Sequence, residues 1–270
     1  MTHRPAAPAE TYENYFVPAM FRPWASLLVQ HAKLRPGERV LDIASGTGVV
    51  AREAAPAVGR AGRVSAVDIS PAMLDVARAL PPVAGAAIEW QTGDASALPH
   101  PDASFDVALC QHGLPFFADR PAAVREMRRV LAAGGRALAI VLRGLELHPV
   151  FEALMSATAR HLSVPLPAVS VPFALHDASG LRQLFLDAGF SDVELQDVSM
   201  PVRFPDPERF VPLAVMSSAA AIPSFAAFEG PAKAALVAAI ARDVEPVLRQ
   251  YISEDFVDFP MFAQIACARL

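Results

Sequence analysis

The first half of the chain alternates short apolar runs with longer segments whose apolar residues recur every three or four positions. The short runs predict strands, and the three-to-four spacing predicts helices that bury one face. The run FDVALCQHG contains a continuous apolar stretch, which is typical of a strand covered on both faces. Strands that alternate with helices indicate βαβ units and a parallel sheet. We therefore predict an α/β fold.

Five strands and the helices between them can be placed before residue 145. A helix is predicted over Trp24–Ala32, and Pro71 favours the start of another. The amphipathic segment RPAAVREMRRVL predicts a helix that ends at Gly134-Gly135. The predicted strands lie in the segments RVLDI, GRVSAVDIS, IEWQTGDA, FDVALCQHG and RALAIVLR.

The second half predicts one more helix, two strands and two helical insertions. DASGLRQLFLDAGFSDVELQDVSM predicts a helix ended by Gly189 and then a strand, and FPMFAQIACARL predicts a final strand. Residues 145–176 and 206–255 are the insertions, and the second has helical spacing in PERFVPLAVMSSAAA and AKAALVAAIARDVEPVLRQYI. Ligands of open α/β sheets bind beyond the carboxyl ends of the strands. We expect these insertions to lie there as a helical lid.

Composition excludes several classes of protein. Hydrophobic residues make up 53% and charged residues 19%, with a formal net charge of −5, so neither a disordered chain nor a polycationic nucleic-acid binder fits. Cys110 and Cys267 lie in apolar runs, and no His or Cys spacing indicates a metal site. The chain has no apolar run of membrane-spanning length. We expect a cytoplasmic monomer or homodimer without metal, membrane or nucleic-acid partners.

The segment LDIASGTG, at the first strand-to-helix turn, is the most informative motif. Gly46 and Gly48 stand where a backbone can approach a ligand closely, and Asp68 follows 20 residues after Gly48, at the end of the second strand. A carboxylate there can accept hydrogen bonds from both ribose hydroxyls of an adenosine. Two glycines and one acid also fit a structural turn beside a solvated aspartate, so this motif by itself leaves both interpretations open.

Two further acids give the motif its context. Asp42 precedes the glycines on the strand, and Gly93-Asp94-Ala95 ends the third strand, where an acid can accept from an adenine amine. At this point the chain resembles the class I S-adenosylmethionine-dependent methyltransferases, in the small-molecule group related to the ubiquinone/menaquinone-biosynthesis methyltransferases. The resemblance covers about residues 10–145. The matching stretches are VLDIASGTG, VSAVDISPAMLDVAR, WQTGDASALPHPDASFDVALCQHGLPFF and EMRRVLAAGGRALAI.

The resemblance implies a Rossmann-like, doubly wound, seven-stranded sheet with its last strand antiparallel and with helical lid insertions. It implies one methyltransferase domain over residues 1–270. The implied parts are N-terminal cap helices over 1–35, a cofactor-binding core over 36–144, and lid insertions over 145–176 and 206–255. One departure is Ala44, where many members of the family carry the first glycine of the loop.

The resemblance also implies S-adenosylmethionine as the cofactor and assigns residues to it. Asp42 lies at the methionine end, Asp68 at the ribose, and Asp94 with Ala95 at the adenine edge. Tyr15 and Arg22 are expected at the methionine carboxylate, in the cap. The expected cofactor-binding residues are Tyr15, Arg22, Asp42, Ala44, Gly46, Thr47, Gly48, Asp68, Ile69, Met73, Gly93, Asp94, Ala95 and Gln111.

Methyl transfer needs a general base only where the nucleophile arrives protonated. His112 is the candidate, because it follows the fourth strand, where substrate and methyl group are expected to meet; the alternative is that it hydrogen-bonds the cofactor or the backbone. His148 and His161 are weaker candidates. The residues expected to line an apolar substrate pocket are Phe116, Phe151, Met155, Phe173, Met216 and Phe225.

Other functions remain open. Gly46–Ala51 also satisfies the GxGxxG/A pattern of a nicotinamide enzyme, but neither Lys33 nor Lys233 has the tyrosine four positions earlier that a short-chain dehydrogenase requires. The fourth strand ends in QHGL rather than the Asn/Asp-Pro-Pro-aromatic run of amino-methylating enzymes, which disfavours a nucleic-acid base as acceptor. The hypotheses are a small-molecule methyltransferase acting on O, C or N, a cofactor-retaining enzyme of another reaction such as a cyclisation, and a non-catalytic binding protein.

Overall fold

The computed structural model describes residues 8–218 and 222–270, without the side chain of Ser218. Residues 1–7 of the predicted cap and 219–221 of the second predicted insertion lie outside the described residues. The strands are β1 (Arg39–Ile43), β2 (Arg63–Asp68), β3 (Ile88–Thr92), β4 (Phe105–Gln111), β5 (Leu131–Leu142), β6 (Asp192–Pro205), β7 (Ile252–Ser253) and β8 (Phe256–Arg269).

The α-helices connect these strands, and a ten-residue π-helix (Tyr12–Phe21) precedes the second of them. The α-helices are α1 (Pro8–Thr11), α2 (Arg22–Ala32), α3 (Val49–Val58), α4 (Pro71–Ala79), α5 (Arg120–Arg129), α6 (Pro149–Leu162), α7 (Leu166–Val169), α8 (Ala178–Asp187), α9 (Pro207–Ser218), α10 (Pro223–Ala226) and α11 (Gly230–Leu248).

The strands form one sheet in the order β3-β2-β1-β4-β5-β8-β6, with the short β7 paired to β8. β1 to β5 are parallel, and β8 runs antiparallel to β5, with Ile140 opposite Ile265. The strand order reverses between β1 and β4, which is the topological switch point where doubly wound sheets bind ligands. The predicted Rossmann-like sheet with an antiparallel last strand is confirmed.

The chain divides into two compact units. The sheet unit comprises Phe21–Arg143, Leu175–Val198 and Ala263–Leu270, and the helical unit comprises the described residues 8–20 together with Gly144–Ala174 and Ser199–Phe262. In the sheet unit, buried side chains of β1, β4 and β5 pack against α5 and α8, with Met127 and Phe185 fully buried. Successive residues of a strand face opposite sides of the sheet. The side chain of Asp42 on β1 accordingly faces away from α5 and α8 and accepts a hydrogen bond from α3.

One predicted boundary was wrong. The helix before the fifth strand ends at Arg129, not at Gly134-Gly135, and both glycines lie inside β5. Leu131 pairs with Phe105, and the register then shifts before Val107 pairs with Arg136. The glycines allow this shift because Gly134 has a φ of +75° and a Cβ on Gly135 would lie 2.8 Å from the carbonyl oxygen of Ala132.

Candidate cofactor and acceptor site

The loop after β1 turns through three left-handed residues. Ala44, Gly46 and Gly48 have φ angles of +56°, +56° and +87°. The turn is closed by the amide of Gly48, which donates to the carbonyl of Ser45 at 2.8 Å. An L-residue in this region costs about 1–2 kcal/mol relative to its usual conformations, so Ala44 occupies a position that suits glycine better. The departure from the family pattern therefore falls on a strained residue.

Gly48 is required by a neighbour within the chain itself. A Cβ at Gly48 would lie 2.2 Å from the indole carbon Cη2 of Trp90, which projects from β3. The position therefore excludes a side chain even before a ligand is considered. The motif also predicts that a ligand approaches Gly48 closely. That stays a prediction.

The carboxylate of Asp68 ties the glycine loop to the end of β2. One oxygen accepts from the amide of Gly46 at 2.7 Å, and the other accepts from the amide of Ser70 at 2.8 Å. Each carboxylate oxygen retains a further lone pair. The neighbouring Ile69 is 70% exposed, and Met73, in the first turn of α4, is half-buried. The loop thus presents one oriented acid and one exposed apolar side chain side by side.

The end of β3 lies beside this acid. The amide of Gly93 donates to the backbone carbonyl of Asp68 at 3.1 Å. Asp94 is exposed, and the amide and hydroxyl of Ser96 both donate to its carboxylate at 2.8 Å, which holds the pKa of that carboxyl below its usual range. Ala95 is buried. The structure therefore brings the predicted ribose and adenine residues to adjacent strand ends.

Asp42 faces the first turn of α3. Its side chain is 1% exposed and accepts from the amide of Ala51 at 2.9 Å. Burial, opposed by this hydrogen bond, raises its pKa to about 8. Dinucleotide-binding folds place a pyrophosphate at this helix N-terminus. The side chain of Asp42 occupies the Ala51 amide in that place, which counts against the nicotinamide alternative.

Gln111 and His112 follow each other at the end of β4. The side-chain amide of Gln111 donates to the carbonyl of Phe21 at 3.0 Å. His112 has a φ of +55°, and its backbone amide donates to the carbonyl of Ile140 at 2.9 Å. The residue is partly exposed, but both ring nitrogens are buried without a hydrogen-bond partner among the described residues. Burial lowers the pKa of the imidazole to about 3, so it is neutral near pH 7.

Several buried polar atoms beside the glycine loop and the end of β4 have no partner within the described part of the chain. Such atoms carry a desolvation cost unless a ligand or water satisfies them. Asp42, Asp68 and the unpaired atoms of Ser45, Thr47 and Gln111 fit a ligand that carries hydroxyl, amino and carboxylate groups, as S-adenosylmethionine does. Ser45 and Trp24 were missed by sequence reasoning, since nothing local marks a serine or an indole as unpaired. The unpaired atoms are Trp24 Nε1, Ser45 Oγ, Thr47 Oγ1 and Gln111 Oε1.

Two predicted cap residues lie in different units. Tyr15 belongs to the helical unit, where the guanidinium of Arg209 lies 4.5 Å from its ring centroid and Phe204 stacks at 6.5 Å. Arg22 begins α2 in the sheet unit and is exposed. Their expected role at the methionine carboxylate stays a prediction.

Most predicted substrate-pocket residues belong to the helical unit. Phe151, Met155, Phe173 and Phe225 are buried there, and Phe151 packs against Phe173 with centroids 5.9 Å apart. Met216, in the same unit, is 43% exposed, and Phe116, in the sheet unit, is 60% exposed. The buried aromatic rings form the core of the helical unit, and their contact with a substrate stays a prediction.

His148, a weaker catalytic candidate, is buried inside the helical unit. Its Nδ1 lies 2.9 Å from the carbonyl of Gly144, and its Nε2 accepts from the amide of Phe262 at 2.9 Å. With Nδ1 protonated, both nitrogens are satisfied by the backbone. Burial lowers its pKa. These contacts indicate a structural histidine.

Residues 40–135 match the family model described as a methyltransferase domain. The chain is 41% identical over 120 residues to 2-phytyl-1,4-naphtoquinone methyltransferase from Synechococcus elongatus, a match that covers 44% of this chain and 52% of that protein. It spans about half the length of that relative. It is 33% identical over 195 residues to ubiquinone/menaquinone biosynthesis C-methyltransferase UbiE from Neisseria meningitidis, covering 67% of this chain and 78% of that protein.

The fold is shared with the YcgJ protein from Bacillus subtilis, with a TM-score of 0.57, 20% identity, and coverage of 91% of this chain and 97% of that one. The match to UbiE covers most of both proteins, and β1, β2 and β3 are neighbours in the sheet. The chain therefore belongs to the class I S-adenosylmethionine-dependent methyltransferases, in the small-molecule group related to the quinone-biosynthesis enzymes.

Proposed function

We propose that this protein transfers a methyl group from S-adenosylmethionine to a small, mainly apolar acceptor. One observation carries the proposal: Asp42, Asp68 and Asp94 stand at the ends of three neighbouring parallel strands, beside a turn with three left-handed residues. This arrangement suits an amino acid, a ribose and an adenine laid in sequence along the sheet edge. The family membership of the chain supports it.

In this proposal, different residues of the chain bind different parts of S-adenosylmethionine. Asp68 holds the glycine loop through Gly46 and keeps lone pairs for ribose hydroxyls. Ile69 offers an exposed apolar surface to a flat ring. The unpaired hydroxyls of Ser45 and Thr47 gain partners when a polar ligand fills the loop. When bound, S-adenosylmethionine supplies a methyl group on a positively charged sulfur.

The proposed acceptor is a quinone-type molecule in its reduced form, because the two relatives described above are named for quinones. A quinol offers a hydroxyl oxygen or a ring carbon as nucleophile, and both carry a proton that has to leave. His112, which follows the last residue of β4, is the side chain there that can hydrogen-bond to this proton-bearing group. No helix among residues 8–218 and 222–270 is long and apolar enough to cross a membrane.

His112 is the proposed catalytic residue. Its imidazole is neutral near pH 7, so one ring nitrogen can accept a hydrogen bond from the acceptor while the other can donate. The lowered pKa makes it a weak base, so we assign it to accepting a hydrogen bond from the acceptor hydroxyl, and the proton released on methyl transfer passes to solvent water. Holding the acceptor close to the cofactor in a fixed orientation would be the main contribution of the chain to the rate.

Cofactor binding is tested by calorimetry with S-adenosylhomocysteine. Asp68→Asn is expected to weaken binding at least tenfold, because the amide supplies one acceptor oxygen where the carboxylate supplies two. Asp187→Asn, which changes an exposed acid in α8, is the matched control and is expected to bind like the wild type. Absence of binding by the wild-type protein would reject the proposal.

Methyl transfer is tested with methyl-labelled S-adenosylmethionine and a panel of reduced naphthoquinones, phenols and amines. We expect label in a quinol or phenol product. A product that forms only with cofactor present and gains no label would instead favour a cofactor-retaining reaction such as a cyclisation.

A further inference from the structure

The imidazole of His112 is oriented by rings and not by hydrogen bonds. The indole of Trp24 meets it edge-on, with centroids 5.6 Å apart and planes at 90°. The ring of Phe21 is tilted against it, with centroids 5.9 Å apart and planes at 59°. Neither ring nitrogen of His112 has a hydrogen-bond partner in the described part of the chain. Aromatic contacts of this geometry contribute about 0.5–1.5 kcal/mol each beyond buried area, enough to favour one ring orientation.

The backbone around His112 supports the same arrangement. Its φ of +55° turns the side chain out of the direction that the strand would give it. Gln111 donates to the carbonyl of Phe21, so the residue before His112 anchors one of the two rings that contact it. Trp24 is fully buried in α2 and has little freedom to move. Strained, over-determined side chains of this kind cluster at functional sites.

We propose that Phe21 and Trp24 are positioning residues that hold His112 as a hydrogen-bonding partner for a hydroxyl group of the methyl acceptor. The proposal rests on the proposed methyltransferase function and narrows it. A catalytic histidine is often oriented by a carboxylate, which also stabilises its charged form. Here two aromatic rings take the orienting role.

The aromatic surroundings select the chemistry of the acceptor. A neutral imidazole offers one acceptor and one donor, which matches a hydroxyl group, itself a donor and an acceptor. An alkyl ammonium group has no lone pair for attack and has to lose a proton first. It can donate to one ring nitrogen of His112 but cannot accept from the other, whereas a hydroxyl group can do either and keeps a lone pair for attack. Oxygen and the ring carbons of hydroxylated aromatics are therefore favoured over amines as nucleophiles.

The orientation is tested by NMR of the imidazole carbons and protons in the full chain. Seven histidines are present, and His112→Gln assigns the resonances of His112. Trp24→Phe keeps an aromatic edge and is expected to preserve these resonances nearly in place. Trp24→Leu keeps an apolar side chain without a ring and is expected to shift them by loss of the ring current. Unchanged His112 resonances in Trp24→Leu would overturn the positioning role.

Binding and turnover separate this role from a purely structural one. In Trp24→Leu we expect kcat for methylation of a naphthoquinol, measured with methyl-labelled S-adenosylmethionine, to fall at least tenfold. The Kd for S-adenosylhomocysteine is expected to stay within twofold of the wild-type value. Trp24→Phe is expected to recover most of kcat. Loss of S-adenosylhomocysteine binding in a folded Trp24→Leu protein would overturn the assignment to the acceptor. Failure of the wild type to bind S-adenosylhomocysteine would reject the proposed function. The His112 resonances would still report on the contacts with Phe21 and Trp24, so the two failures can be told apart.

The hydroxyl assignment is tested with two probes of one shape, 1,2,3,4-tetrahydro-2-naphthol and 2-aminotetralin, each added at millimolar concentration to the protein with S-adenosylhomocysteine. The alcohol is expected to shift the His112 resonances, and the cationic amine is expected to leave them in place. Equal shifts with both probes, or none with either, would overturn the preference for a hydroxyl group.

Discussion

Ala44 and Gly113 lie so close together that a Cβ added to Gly113 would be 2.5 Å from the Cβ of Ala44. Ala44 belongs to the glycine loop after β1, and Gly113 follows His112 after β4. The methyl group of Ala44, the departure from the family pattern, therefore fills the space that a side chain at position 113 would need. The two strand ends of the topological switch point are matched to each other in size.

This contact predicts a rescue between two substitutions. Gly113→Ala is expected to lower the free energy of unfolding by about 1–3 kcal/mol through overpacking. Its φ of −81° is open to any residue, so backbone strain does not contribute. Combining it with Ala44→Gly is expected to recover most of the loss. Urea unfolding of the two single variants and the double variant measures the coupling, and effects of the two substitutions that simply add would contradict the contact.

The buried Asp42 predicts how stability depends on pH. Its pKa is about 8 in the folded protein and near 3.8 in the unfolded chain, so the folded protein holds a proton that the unfolded chain has lost. Its contribution to stability is complete below pH 3.8 and is lost as pH rises through about 8, at roughly 1.4 kcal/mol per unit. His112 acts in the opposite direction only below pH 6.5, because its pKa is lowered.

The window between about pH 6.5 and 8 therefore isolates Asp42. In the protein without cofactor, stability is expected to fall with pH across this window, and Asp42→Asn is expected to flatten the profile. The amide of asparagine keeps an oxygen for the Ala51 amide. Urea unfolding at several pH values measures both slopes. An equal fall in wild type and Asp42→Asn would place the titrating group elsewhere.

Trp90 predicts a second rescue, at the glycine loop. Gly48→Ala introduces a clash with the indole and a strained φ of +87°, and we expect a loss of about 2–4 kcal/mol. Adding Trp90→Ala removes the clash but not the strain, so recovery is expected to be partial. Thermal unfolding of the single and double variants provides the comparison. If only ligand approach required this glycine, Trp90→Ala would give no recovery.

His148 predicts a loss of stability without a loss of chemistry. His148→Ala leaves the carbonyl of Gly144 and the amide of Phe262 without their partner, at a cost of about 2–4 kcal/mol. Arg182→Ala, which removes an exposed side chain of α8, is the control and is expected to change stability by about 0.5 kcal/mol or less. Turnover per folded molecule is expected to be unchanged in both. A large drop in kcat for folded His148→Ala would return it to the catalytic candidates.

Much of the fold could be predicted because its signals are local. Apolar runs located β1 to β5, Pro71 marked the start of α4, and Gly189 marked the end of α8. The helix expected to end at Gly134-Gly135 was wrong, since pairing of Leu131 with Phe105 outweighed helical spacing. The side-chain periodicity carries no information on which distant strand a residue meets, so this boundary depended on the assembled sheet.

The sequence by itself determined the family, the order of strands and helices, and the three acids that end β1, β2 and β3, because turn chemistry and periodicity act within a few residues. Only the tertiary structure decided that Trp90 covers Gly48, that Ala44 meets Gly113, and that two rings orient His112. It also decided that His148 holds the backbone of a residue 114 positions away. Such pairs form when packing brings distant segments into contact, and burial then sets the protonation of the side chains enclosed there.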